Sequence, residues 1–150
     1  MKLKTINLPV IITSLEVLKV KKMFKLGTRS KERLKGVDPR IMKIIQLALT
    51  ISVIDFSIPK HGGLRDAGTQ RQLFQKDLSK CDGIELKSKH QTGLAFDMCA
   101  YVDGKASWDR GHLTQVAAAI LQASGMLGYE LHWGGLWKDD CDMPHFELVE

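Results

Sequence analysis

Two imidazoles and two carboxylates stand out for the chemistry they could do together. His90 and Asp97 bracket the stretch SKHQTGLAFD (88–97), seven positions apart with a glycine between them. Asp142 and His145 lie three apart in DMPHF (142–146). Two nitrogens and one oxygen are a common protein set for a hydrolytic Zn²⁺, with the fourth position left to water. A further carboxylate near that position is the general base such hydrolysis needs. Many chains of this length carry two histidines and two aspartates by chance. Spacing alone therefore leaves a metal site and an unrelated polar scatter both open.

For the four residues to meet, the elements around them must fold in a particular way. Gly93 is expected to close a loop, after which LAFDMCAY alternates as one strand. Leu94, Phe96 and Met98 would then face the core, and Ala95, Asp97 and Cys99 a cleft. A one-residue slip would turn Asp97 inward. Two short strands are expected around YELHW (129–133) and HFELV (145–149), and another over VIDFSI (53–58), ended by Pro59. In DPRIMKIIQLALTIS, Asp38 reads as an N-cap with Pro39 at the first helical position. Ile41, Ile44, Ile45, Ala48 and Leu49 form its apolar face. GGLRDAGTQRQLFQKDLSK reads as a turn feeding a helix with Leu73, Phe74 and Leu78 inward, and HLTQVAAAILQAS (112–124) as a helix ended by Gly125. The predicted class is α+β: a single domain with a small, mostly antiparallel sheet, helices packed against it and the metal cleft on the sheet.

The 150 residues suffice for one domain with its own core. The net charge of +5 favours a polyanionic partner, but Lys and Arg crowd residues 1–35, where the acids are Glu16 and Glu32 alone. Residues 1–22 are read as a basic N-terminal extension of uncertain structure, and 23–150 as the domain that carries the candidate site. Three cysteines without a CxxC pair suit a reducing compartment rather than a disulfide framework. No run approaches the length of a membrane span. The basic, briefly apolar start lacks a small-residue cleavage site, so no signal peptide is assigned.

Four motifs, in order, resemble those of the VanY-like zinc peptidases. SKHQTGLAFD matches the pattern SxHxxGxAxD, and DMPHFEL resembles the closing motif, an acid three residues before the last metal histidine. GGLR (62–65) is similar to the family's G-x-R turn, and HWGGLW (132–137) to its WGGDW segment, with Leu136 in place of the aspartate. The superfamily includes D-alanyl-D-alanine carboxypeptidases, D-Ala-D-Ala dipeptidases and the L-alanyl-D-glutamate endopeptidases of phage endolysins. The WGG segment and the FKLGTRSKERLKGVDP opening favour the last.

The resemblance implies that His90, Asp97 and His145 hold one Zn²⁺ per chain. Asp142 would take a proton from the activated water and pass it to the leaving amine, and Arg65 would stabilise the oxyanion or orient the peptide. Ser88, His132, Trp133 and Trp137 are candidate substrate contacts, the two tryptophans being equally open to core packing. Asp139 and Asp140 are a candidate site for a regulatory Ca²⁺, against the simpler reading of a solvated loop. His61 and His112 are expected at the surface, and Cys99 and Cys141 outside the ligand set. The implied activity is endolysin cleavage between L-Ala and D-Glu of bacterial peptidoglycan stem peptides. The protein would be a monomer held in the host cytoplasm until release to the wall. The alternatives are a D-alanyl-D-alanine carboxypeptidase and a non-catalytic wall-binding module. A nucleic-acid partner is set aside because no helix-turn-helix or aromatic-basic platform accompanies the charge.

Overall fold

Pro39 has no amide hydrogen to lose at the first position of a helix, and Asp38 accepts the amide of Arg40 there. The computed structural model, which describes residues 23–150, accordingly starts its central helix at that point. Helix α1 (Thr28–Arg33) precedes it, and the central helix is α2 (Pro39–Ile51). Ile41, Ile44, Ile45, Ala48 and Leu49 are buried as expected, against Leu113, Val116, Ala117, Ile120 and Ala123 of α4 (Arg110–Leu127). The short helix α3 (Ala67–Gln75) lies between them in the chain. The expected basic extension, residues 1–22, lies outside the described residues.

Among the described residues, six strands form two three-stranded antiparallel sheets, consistent with the α+β class. One sheet has the order β1 (Asp55–Ser57), β3 (Cys99–Val102), β4 (Lys105–Ser107). The other has the order β2 (Ala95–Asp97), β6 (His145–Leu148), β5 (Leu131–Trp133). The single strand expected over LAFDMCAY is therefore two. The chain leaves one sheet after Asp97 and enters the other at Cys99, while the amide of Met98 donates to Pro144 O at 3.0 Å. The expected alternation fails with it. Ala95, Phe96, Met98 and Cys99 are all buried, because this stretch has protein on both faces.

Two helix readings are also corrected. Leu73 is half-buried and Phe74 and Leu78 are exposed, whereas the fully buried residue of α3 is Gln70. Helix α4 runs through Gly125 and stops at Gly128, whose φ of 71° is the left-handed geometry of a C-cap.

Phe96, Phe146 and Trp133 are direct neighbours across β2, β6 and β5. Their rings stack at 5.2 Å (Phe96–Phe146) and 6.2 Å (Trp133–Phe146). Aromatic cross-strand pairs of this kind fix register. With Phe96 opposite Phe146, the next pair must be Asp97 opposite His145, on the other face of the sheet.

Candidate metal centre

The register just described brings one carboxylate and one imidazole together, and a turn adds the second imidazole. Residues Lys89–Thr92 form a single 3₁₀ turn opened by a capping box: Ser88 Oγ accepts the amide of His90, and Gln91 Oε1 accepts that of Ser88. Gly93 ends the turn at φ 73°, so close to Gly36 that a Cβ would stand 2.8 Å from its carbonyl oxygen. This folds His90 back over β2. His90 Nε2 lies 3.2 Å from Asp97 Oδ1 and 3.2 Å from His145 Nδ1, which is itself 3.1 Å from Asp97 Oδ1. Both histidines are buried.

The far side of each ring shows what the near side is for. His90 Nδ1 donates to Gly63 O at 2.8 Å, and His145 Nε2 to Glu147 Oε2 at 3.3 Å. Each imidazole thus spends its proton outward and turns a lone pair toward the other and toward a carboxylate oxygen. Three electron-rich atoms so close repel one another unless a cation or a proton lies between them. This donor set fits a metal ion in the manner of a His₂-carboxylate site, with the outer hydrogen bonds that orient such ligands. The charges respond accordingly. Burial alone would lower the pKa of His145, but hydrogen bonds to Asp97 and Glu147 raise it to about 9. Burial works to raise that of Asp97, yet His90, His145 and Arg65 hold it well below the usual carboxylate range.

The GGLR segment does more than present an arginine. Gly62 O accepts the amide of Asp97 at 2.8 Å, Gly63 O holds His90, and the Arg65 amide donates to His90 O at 3.0 Å. The Arg65 guanidinium donates to Asp97 Oδ2 at 2.5 Å, to His61 O at 2.6 Å and to Gln70 Oε1 at 3.4 Å. Buried Gln70 in turn donates to Ser79 Oγ and Cys81 O. The carboxylate of Asp97 is therefore shared, one oxygen toward the imidazoles and one toward Arg65.

Asp142 is exposed and takes no side-chain hydrogen bond among the described residues, while its backbone is tied to Gly134 O and to the amide of His145. Partial desolvation and the nearby charge of Asp97 raise its pKa against the pull of His145, His90 and Arg65. An unengaged carboxyl with a raised pKa at the edge of the cluster is suited to proton transfer.

The other sequence candidates divide. Ser88 is buried and caps the His90 turn instead of facing a cleft. Trp133 is a core residue, its Nε1 donating to Met143 O at 2.7 Å. Trp137 is 36% exposed with its ring 5.2 Å from that of His145, so it forms a rim. His132 is exposed, 4.0 Å from Glu147 Oε1. Asp140 pairs with Lys80, and Asp139 is exposed. His61 is exposed and His112 half-buried against Ser107; neither joins the cluster, nor do Cys99 and Cys141. Glu147, and the carbonyls of Gly62 and Gly63, escaped the sequence reading. An acid two residues after a strand histidine shares its face, and that was the available signal for Glu147.

The family model described as phage L-alanyl-D-glutamate peptidase matches residues 22–149. The L-alanyl-D-glutamate peptidase of Escherichia phage T5 is 35% identical over 126 residues, 79% of this chain and 85% of the relative. Among solved structures, the crystal structure of Serratia marcescens L-Ala D-Glu endopeptidase ChiX matches with a TM-score of 0.75 and 36% identity. That match covers 88% of this chain and 95% of the other.

Proposed function

Since the chain belongs to the phage L-alanyl-D-glutamate peptidase family, we propose that it is an endolysin that hydrolyses the L-Ala–D-Glu bond of peptidoglycan stem peptides with one Zn²⁺. His90, Asp97 and His145 hold the ion. The observation that carries this reading is the convergence of His90 Nε2, His145 Nδ1 and Asp97 Oδ1, each ring oriented from behind by an acceptor.

Zinc bound there supplies Lewis acidity that makes water nucleophilic near neutral pH. The protein does the rest. Asp142 receives the proton of the attacking water and delivers it to the departing amine of D-Glu, its raised pKa bringing it closer to the working range. Arg65 is held by three acceptors and keeps unspent N–H donors on its terminal nitrogens, which orient the peptide and balance charge growing on the carbonyl oxygen. Trp137, its ring 5.2 Å from that of His145, gives the cleft an apolar side, and exposed Leu136 precedes it in the chain where the WGGDW pattern has an aspartate. The enzyme acts as a monomer and stays in the host cytoplasm until released to the wall. No helix among the described residues is long and apolar enough to cross a membrane.

The test is mass spectrometry of purified peptidoglycan after incubation with the zinc-loaded protein, a chelated sample and the Asp142→Ala variant. Zinc-dependent peptides beginning at D-Glu, absent with the variant, are expected. Release of D-alanine alone moves the enzyme to the carboxypeptidase branch. No product in any sample overturns the enzymatic reading.

A further inference from the structure

His145 can offer Nδ1 to a cation only in the tautomer that carries its proton on Nε2. Something must receive that proton, and the residue in place is Glu147, whose Oε2 is 3.3 Å from Nε2. The two residues are i and i+2 on β6, so the pleat puts them on one face. The sheet keeps them there: β6 is the central strand of its sheet, with Asp97 opposite His145 and with Ala95 and His132 opposite Glu147 on its two sides. Ala95 contributes no bulk beside Glu147, which leaves the carboxylate free to lean toward His145. Its other oxygen faces outward, 4.0 Å from His132 Nδ1.

The two imidazoles are thus supported unequally. His90 leans on a neutral peptide carbonyl at 2.8 Å, held by close packing of Gly63 against Arg33. His145 leans on a charged, half-buried carboxylate carried by its own strand. A carboxylate behind an imidazole fixes the ring's tautomer and plane and makes its opposite nitrogen the stronger donor. We infer that Glu147 is a positioning residue for the metal centre, setting how tightly the protein holds its ion through His145 without touching ion or substrate. The inference rests on the proposed ligand set, and its failure is separable from failure of that set.

The experiment is zinc affinity of the full chain at fixed pH, by competition with a chromogenic chelator. The proteins compared are wild type, Glu147→Ala, Glu147→Gln and His145→Ala. Glu147→Ala is expected to bind zinc about 10- to 100-fold more weakly. Glu147→Gln, whose amide oxygen still accepts from Nε2–H, is expected to recover most of that loss. The metal-free Glu147→Ala and Glu147→Gln proteins should melt close to each other while their zinc affinities differ, which a merely structural role for Glu147 would not produce. Should alanine cost the fold, Glu147→Met, of similar length and without an oxygen, takes its place in the comparison. Wild-type affinity in both Glu147→Ala and Glu147→Met overturns the inference while a large loss in His145→Ala leaves the ligand set standing. Equal binding by wild type and His145→Ala overturns both.

Discussion

Replacing Gly63 by alanine tests whether the site is built from behind. A Cβ on Gly63 would stand 1.8 Å from the carbonyl oxygen of Arg33, and contacts below 3.0 Å essentially do not occur. The two backbones must separate by about 1.2 Å, and neither partner is a flexible side chain. Gly63 O holds His90 Nδ1 at 2.8 Å, so a displacement of that size carries the bond past hydrogen-bonding range. Overpacking of this kind costs about 1–3 kcal/mol, which lowers the thermal midpoint by roughly 3–12 °C for a domain of this size. Loss of the orienting carbonyl should weaken zinc binding by about 10- to 100-fold. Gly27→Ala is the control, since its Cβ would meet nothing within 4 Å and its φ is −69°. Both variants are melted in chelator and then titrated with zinc. If Gly63→Ala melts and binds zinc as Gly27→Ala does, the close approach to Arg33 is not what orients His90, and the reasoning fails.

Gly125 and Gly128 should respond in opposite directions. Gly125→Ala, inside helix α4 with open space around its Cβ, is expected to raise stability by about 0.5–1 kcal/mol, and Gly128→Ala, at φ 71°, to lower it by about 1 kcal/mol; urea unfolding decides, and equal effects would move the helix end. Metal-free protein should lose stability as pH rises from about 6.5 to about 9. The folded pKa of His145 lies above its ordinary 6.5, so its contribution is complete below that value and gone above about 9. The ceiling is about 3 kcal/mol, and it describes the same coupling that depresses Asp97. A metal ion held at the cluster would displace that proton, so the zinc-loaded protein should show no such loss; a flat metal-free profile in chelator would refute the assignment.

What could be read from the residues alone was what local chemistry decides. Asp38 and Pro39 announce a helix start by their own capping chemistry, and the five apolar residues after them follow the helical period without needing a partner. Strand edges were harder because they depend on pairing. Nothing in AFDMCAY says that Met98 will spend its amide on Pro144 and divide the stretch between two sheets. Gln70 was unreadable for a related reason. A buried amide side chain is tolerable only when its partners, here Ser79, Cys81 and Arg65, arrive from elsewhere. At the site, side-chain chemistry pointed to His90, Asp97, Asp142 and His145, and the motifs lent them roles. Gly62 and Gly63 act through carbonyls that every residue possesses, and the sequence carries no mark of which carbonyl will be used.

The division of one stretch between two sheets at Met98 also bears on how the protein folds. Asp97 meets His145 across a sequence separation of 48 residues, and His90 meets it across 55. Helices α2 and α4 can form from local contacts, but the ligand cluster requires the β2–β6 pairing to close over that distance, the slow kind of step in chain folding. An ion that binds only the completed cluster acts as a brake on the reverse step. Zinc should therefore slow unfolding more than it speeds folding, and metal retention becomes a clock for how long the assembled topology survives.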